Sequence, residues 1–169
     1  MTSVATTGGF TSAGLALEEA ELHLPEVDVE CALRIGEIAL AIGRSRGLSI
    51  AIEVRIGDWV AFHAALPGTD SSNDSWIARK ARVVALTGNS TMYERVKAEE
   101  SAIDWYRVNN APEESHAIHG GGLPLKVAGG SHRGTLLISG LPQVDDHLLG
   151  VEVIRTYLNE IQSKGSHRE

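Results

Sequence analysis

SIAIEVRIGDWVAFHAAL, residues 49–66, carries the clearest structural signal in the chain. Successive side chains of an extended strand point to opposite sides, so the alternation in the first half places four apolar residues on one face. These residues are Ile50, Ile52, Val54 and Ile56. Gly57-Asp58 suits a two-residue turn, with glycine in the first central position. The stretch therefore predicts an antiparallel β-hairpin.

The returning strand of this hairpin is predicted from the same alternation. Strict alternation gives it two faces of three residues each. One face carries Trp59, Ala61 and His63, and the other carries Val60, Phe62 and Ala64.

Helices are predicted on the N-terminal side of the hairpin. Asp28 has the residue type of an N-cap, and Gly47 suits the C′ position at the end of the same helix. A shorter helix is predicted over residues 14–22, before Pro25.

The second half of the chain predicts more helices and a second hairpin. Asn73 or Asp74 can cap a helix that Gly88 ends, and a further helical segment covers residues 90–100. LPLKVAGG and GTLLISG are predicted strands, and Pro142 fits the first position of a last helix running to about residue 162.

The order of elements predicts an α+β fold. A single domain over residues 14–162 would hold one mainly antiparallel β-sheet flanked by α-helices. Residues 1–13 and 163–169 are predicted to be mobile tails.

Composition excludes several classes of protein. The formal net charge of −7 disfavours nucleic-acid binding and docking on an acidic membrane. Cys31 is the only cysteine, so an intrachain disulfide and a thiolate metal cluster are excluded. No secretory signal or membrane-spanning run is recognisable, which predicts a cytoplasmic protein.

HAIHGGGLPL, residues 116–125, is the most unusual stretch. Three consecutive glycines cost conformational entropy in an ordered segment, so they indicate an unusual backbone conformation or a close approach of another group. HGGG resembles the oxyanion-hole motif of some lipases, but the G-x-S-x-G nucleophile elbow that they need is absent. His116 and His119 could share a metal ion, although no known zinc pattern accompanies them. No complete nucleotide-binding motif is present. Gly120, Gly121 and Gly122 are predicted to form a tight entry into an inner strand, packed against SGLPQ and the last helix.

Two further features are candidates for binding. Lys80 lies on the apolar side of its predicted helix, so it must snorkel, pair or face a cleft. Asp145 and Asp146 fall in the first turn of the last helix, where carboxylates stabilise the helix dipole. Ser139 and Gly140 could alternatively form an anion-binding cradle with that helix start.

Three stretches together resemble the haem-degrading-domain family, also described as GlcG/HbpS-like. They are GTDSSNDSWIARKARVV (68–84), HGGGLPLKV (119–127) and GTLLISGLPQVDDHLLGVEVIRTYL (134–158). The resemblance is greatest to its small stand-alone cytosolic members, and it covers about residues 17–158. It implies an HbpS-like, profilin-like layering of sheet and helices, and a homo-oligomer that is a dimer or a ring of dimers. It also implies a cleft lined by Gly121, Gly122, Pro124, Ser139, Gly140 and Asp146.

Three functions remain open at this point. The first is binding of a small anionic ligand, haem or another tetrapyrrole, with His119 and His147 beside the cleft as candidate iron ligands. The second is a non-enzymatic oligomeric scaffold, for which the tryptophans would serve as core or interface residues. The third is a small-molecule enzyme using Lys80, Asp146 and His147 in acid–base roles.

Overall fold

The computed structural model describes residues 7–166 of the chain. Within that range the chain forms six helices and four strands. The helices are α1 (Ser12–Ala20), α2 (Val29–Arg46), α3 (Ser71–Thr87), α4 (Thr91–Glu100), α5 (Trp105–Val108) and α6 (Gln143–Gly165). The strands are β1 (Ala51–Ile56), β2 (Trp59–Ala65), β3 (Gly122–Lys126) and β4 (His132–Ser139).

The strands form one antiparallel sheet in the order β2-β1-β4-β3. The predicted hairpin is confirmed, with β1 and β2 joined at Gly57, whose φ is +57°. Helices cover both faces of this sheet, so the predicted α+β class is confirmed.

The predicted faces of β2 are wrong beyond Val60. Val54 pairs with Phe62 while Arg55 pairs with Val60, so Ala61 is the extra residue of a β-bulge. The bulge reverses the alternation and turns Phe62 towards the same side as Val54. There it packs against α2, where a β-carbon on Gly36 would overlap its ring.

The larger core lies between the sheet and helices α2 and α6. Its members are mostly aliphatic and fully buried, and they include Ile35, Ile38, Ile52, Val54, Leu125, Leu136, Ile138, Val153 and Ile154. Helix α2 has the predicted ends: the Asp28 side chain accepts a hydrogen bond from the Cys31 N–H, and Gly47 has φ +64°. Asp28 and Gly47 thus confirm the N-cap and C′ positions predicted from the sequence.

Helix α3 covers the opposite face of the sheet. Ile77 and Ala81 pack there against Ala51 and Leu137. The helix begins earlier than predicted, because Asp70 is its N-cap and Asn73 completes a capping box from inside the first turn.

Strand β3 lies at the edge of the sheet, so the prediction of an inner strand after the glycines is wrong. Among residues 7–166 it pairs only with β4, and one bridge between Leu24 and Val127 covers its far end. Pro124 lacks an N–H group and can therefore be accommodated on an edge strand more easily than on a central one.

The helices at both ends of the domain extend into segments that the sequence predicted to be mobile tails. Helix α1 begins at Ser12, inside the predicted N-terminal tail, and α6 continues to Gly165, inside the predicted C-terminal tail. Pro142 is the N-cap of α6 and not its first helical residue. The predicted tails over 1–6 and 167–169 lie outside the described residues. None of the helices within 7–166 combines the length and apolar character that a bilayer span requires.

Candidate functional site

An open cleft of about 300 Å³ lies where the N-terminal half of α3 meets the loop between β4 and α6. The cleft is lined by Ser72, Asn73, Trp76, Lys80, His119, Ser139, Gly140, Leu141, Gln143 and Asp146. Residues on two helices, two loops and the end of β4 therefore converge on one concavity, which combines apolar and polar groups as ligand sites commonly do.

The glycine stretch forms the back of this cleft by bringing three backbones together. A β-carbon on Gly120 would overlap the carbonyl oxygen of Gln143 at the start of α6. Gly121 has φ +121°, and a β-carbon there would overlap the carbonyl oxygen of Ile138 and lie 2.7 Å from Lys80 Nζ. The three glycines are thus explained by close packing against β4, α6 and the lysine.

The floor of the cleft is a buried ion pair between Lys80 and Asp146. Lys80 Nζ donates to the Ile138 carbonyl oxygen at 2.9 Å and to Asp146 Oδ2 at 3.1 Å. Burial lowers the pKa of Lys80 and raises the pKa of Asp146, and each charge opposes the shift of the other. The ammonium group of Lys80 does not reach solvent, and it pairs with Asp146 of α6 and not with a ligand or another subunit.

Asp146 also shapes the loop above it. Its second oxygen, Oδ1, accepts a hydrogen bond from the Leu141 N–H at 3.0 Å. Gly140 has φ +149°, and a β-carbon there would overlap the carbonyl oxygen of Ser49. Asp146 and Gly140 together fix the path of the backbone between Ser139 and α6, which is one wall of the cleft.

His119 and Trp76 form the opposite wall. Their ring centroids are 4.7 Å apart in an edge-to-face arrangement, and the guanidinium of Arg79 lies 4.3 Å from the Trp76 ring centroid. Burial, together with the nearby positive charges of Arg95, Lys80 and Arg79, lowers the pKa of His119 to about 4. His119 is therefore a neutral imidazole at pH 7, and its Nδ1 is buried with no partner among the described residues.

The predicted site residues fall into three groups. Lys80, His119, Ser139, Gly140 and Asp146 line the cleft. Gly120, Gly121 and Gly122 pack behind it. Pro124 and His147 lie elsewhere, beside a small cavity beneath α1.

The position of His147 follows from the helix on which it lies. It is the next residue after Asp146 and points towards α1, where Nε2 lies 2.9 Å from Glu18 Oε1. His147 is 2% exposed, so solvent does not reach it in this conformation.

His116 and His119 also separate. His116 Nδ1 lies 2.8 Å from Ser115 Oγ, and its ring faces Trp105, whereas His119 faces Trp76. Among residues 7–166 no group of three or more histidine, cysteine, aspartate or glutamate side chains is arranged to hold a metal ion. The geometry does not support a metal site shared by these two histidines.

Five lining residues were not among the predicted site residues: Ser72, Asn73, Trp76, Leu141 and Gln143. Asn73 and Trp76 share a helical face with Lys80, at spacings of seven and four residues, which was a signal that could have identified them. Nothing comparable in the sequence marks Ser72, Leu141 or Gln143.

The chain is similar to known proteins over most of its length. A UPF0303 protein of Streptomyces avermitilis is 35% identical over 144 residues, which cover 85% of this chain and 88% of the relative. The crystal structure of Ybr137w protein superposes with a TM-score of 0.79 at 23% identity and covers 88% of this chain and 89% of its own. A PduOC:heme complex gives a TM-score of 0.61 at 14% identity, covering 75% and 94% respectively. The two structures establish a shared fold.

The family model for haem-degrading HbpS-like proteins matches residues 27–155, which include every residue that lines the cleft. Because this match spans well over half of the chain, the protein belongs to the HbpS-like family of haem-degrading proteins.

Proposed function

We propose that this protein binds a small ligand in the cleft between α3 and α6, and that the ligand is haem or a related tetrapyrrole held through its iron by His119. The observation that carries the proposal is the state of His119. Its imidazole lines the cleft and is neutral at pH 7. Neutral imidazole is the form that ligates haem iron.

The remaining cleft residues fit a flat ligand with acidic side groups. Trp76 offers an aromatic wall beside His119, and the cleft is open enough for part of a large ring to project outward. The N-terminal end of α6, which no side chain caps, borders the cleft, and helix N-termini favour carboxylates such as haem propionates. Bound haem would supply the iron chemistry, while these residues orient the ring.

His147 is a weaker candidate for the iron ligand. Its Nε2 is engaged by Glu18, and the side chain is almost completely buried. The position of His147 also argues against the hypothesis of an enzyme that uses Lys80, Asp146 and His147 together, since only the first two line the cleft.

A haem titration followed by absorbance tests the proposal. The wild-type protein and the variants His147→Gln and His116→Ala should give a saturable Soret shift at about one haem per chain. The variant His119→Ala should lose that shift, while His116→Ala serves as a matched control from the same loop. A weak shift that never saturates, or one that is indifferent to His119, would refute the assignment.

A second candidate function is self-assembly into a cytoplasmic oligomeric scaffold. It is supported by exposed apolar side chains on the edge strand β2. Trp59 and Val60 lie on edge strand β2 and are 60% and 41% exposed. Large exposed apolar side chains on an edge strand suit a protein interface. The free thiol of the buried Cys31 suits a reducing compartment. Light scattering should give a mass above that of one chain, and Trp59→Ser should lower it. A monomeric wild-type protein at micromolar concentration would eliminate this function.

A further inference from the structure

A second cavity lies between α3 and the sheet, at the end of β4 opposite to the cleft. Its volume is about 380 Å³, which is enough for a small molecule. Its lining includes Arg55, Asp58, Arg82, Ala85, His132 and Thr135, and it shares no lining residue with the cleft. We refer to it as the arginine cavity. Strand β4 runs from one site to the other, because its first residue lines the cavity and its last residue lines the cleft.

Arg55 lines the arginine cavity in an orientation that a buried carboxylate fixes. Its Nε donates to Glu53 Oε2 at 2.6 Å, and Glu53 is itself buried. The other carboxylate oxygen of Glu53 lies 3.3 Å from His63 Nδ1. Glu53 is therefore shared between two side chains and does not bind the guanidinium through two parallel hydrogen bonds. Among residues 7–166 no acceptor engages the Nη groups of Arg55, so both of them are available to a ligand.

Arg82 supplies a second positive charge from the helical wall of the cavity. Its Nη1 donates to the carbonyl oxygen of Ser115 at 2.9 Å. Because a carbonyl group is neutral, this contact positions the side chain without compensating its charge. Within the described part of the chain no carboxylate forms an ion pair with Arg82. Guanidinium groups form their strongest hydrogen bonds with carboxylate and phosphate oxygens, so two arginines in one cavity favour an oxyanion.

The other polar groups of the cavity restrict what else the ligand carries. Burial lowers the pKa of His132, so its imidazole is mostly neutral at pH 7 and adds no charge. Its Nε2 lies 3.3 Å from the hydroxyl oxygen of the buried Thr135, so these two side chains engage each other. Asp58, in the turn between β1 and β2, has no ion-pair partner among residues 7–166. Its carboxylate repels a second anionic group and accepts a hydrogen bond from a hydroxyl group.

Small side chains on α3 leave the space that the cavity occupies. Ala81 packs on the sheet beside Ala51 and Leu137. Ala85 lies one helical turn further along and also lines the cavity. Since Ala85 is exposed, a longer apolar side chain at this position can fill part of the cavity without altering a charged group.

We propose that the arginine cavity is a second ligand site, which binds a small organic oxyanion that carries a hydroxyl group. Arg55 and Arg82 bind the carboxylate or phosphate group of the ligand, and Asp58 accepts a hydrogen bond from its hydroxyl group. The proposal does not depend on haem binding, because the two sites are lined by different residues.

Calorimetric titration of the full-length protein tests the proposal. The main probes are glycerate and glycerol 3-phosphate, which both carry hydroxyl groups but present a carboxylate and a phosphate respectively. At least one of them should bind saturably at about one molecule per chain, and the tighter of the two identifies the oxyanion that the site prefers. Glycerol, which lacks the oxyanion, should not bind. Propionate, which lacks the hydroxyl groups, should bind about tenfold more weakly than glycerate, as expected when a charge-assisted hydrogen bond is lost.

Variants locate the binding in the arginine cavity. Arg82→Gln and Ala85→Leu should each weaken binding by about tenfold or more, the first by removing a charged donor and the second by filling space. Arg133→Gln is the matched control, because Arg133 is exposed and adjacent to His132 but does not line the cavity. It removes the same charge as Arg82→Gln and should weaken binding by less than about twofold, since solvent screens exposed charges. Asp58→Ala should abolish the preference for glycerate over propionate.

Three results would overturn the proposal. They are the absence of saturable binding of either oxyanion, equal weakening by Arg82→Gln and Arg133→Gln, and unchanged binding by Ala85→Leu. Equal affinity of the wild type for glycerate and propionate would refute the role of Asp58. Arg55→Lys keeps a cation beside Glu53 but removes the Nη groups, so it should also weaken binding. Should that variant fail to fold, Arg82→Gln and Ala85→Leu still decide the question, because both change exposed residues.

Discussion

Lys80 Nζ lies 3.1 Å from Asp146 Oδ2, and each of the two side chains is only 3% exposed. Removing one partner of a buried pair leaves an uncompensated charge, which typically costs about 3–5 kcal/mol. We therefore expect Lys80→Met to lower the free energy of unfolding by about that amount, measured by urea denaturation. Lys164→Met, at an exposed lysine near the end of α6, should change it by less than about 0.5 kcal/mol. Equal effects of the two variants would contradict a structural role for the pair.

Gly121 is a second position where the structure predicts a large effect. Alanine there would have to adopt φ +121° and would overlap the carbonyl oxygen of Ile138. Gly130 is a matched control, because it has φ +85° but no atom within 4 Å of an added β-carbon. Gly130→Ala should cost about 1 kcal/mol from backbone strain alone, and Gly121→Ala about 3 kcal/mol or more. Similar losses in urea denaturation would mean that the glycine stretch is not needed for close packing.

Local sequence signals were sufficient for helix α2 and for the hairpin. The alternation before Gly57, the cap at Asp28 and the stop at Gly47 are properties of neighbouring residues, and each is present as predicted. The bulge at Ala61 has no such local signal, and it turns Phe62 towards α2. Strand order was equally hidden, although Pro124 carried a hint that β3 lies at an edge.

The sequence could predict several of the residues that belong to the candidate site, but not which of their side chains contact one another. A lysine on an apolar helix face had to snorkel, pair or face a cleft, and the sequence did not decide among these. Asp145, Asp146 and His147 follow one another on α6 and point in different directions. Only the tertiary packing determines that Asp146 meets Lys80 while His147 meets Glu18. His119 and His147 looked equivalent in the sequence, and they differ because one lines a cleft and the other is covered by α1.

Gly36 should show a reversal of the usual effect of glycine in a helix. Alanine is ordinarily more favourable than glycine inside a helix by about 1 kcal/mol. In α2, however, a β-carbon on Gly36 would overlap the ring of Phe62, which the bulge in β2 turns towards it. We expect Gly36→Ala to destabilise the protein by about 1–3 kcal/mol in thermal or urea unfolding. Phe62→Leu in the same chain should restore part of that loss, and a stabilising Gly36→Ala would contradict the packing of β2 on α2.

His119 should make the fold sensitive to acid. Its pKa is about 4 in the folded protein, against an ordinary value of 6.5. Between these two values the unfolded chain binds a proton that the folded chain does not, so stability present above pH 6.5 is lost as the pH falls towards 4. Urea denaturation from pH 7 to pH 4.5 should therefore show a steeper loss for the wild type than for His119→Gln. The other titrating groups are common to both proteins, so the difference isolates His119. Identical pH dependence of the two proteins would mean that the imidazole of His119 is not held neutral. That result would also remove the main support for His119 as the haem ligand. A neutral imidazole should keep binding haem at pH 5, where an ordinary histidine is mostly protonated.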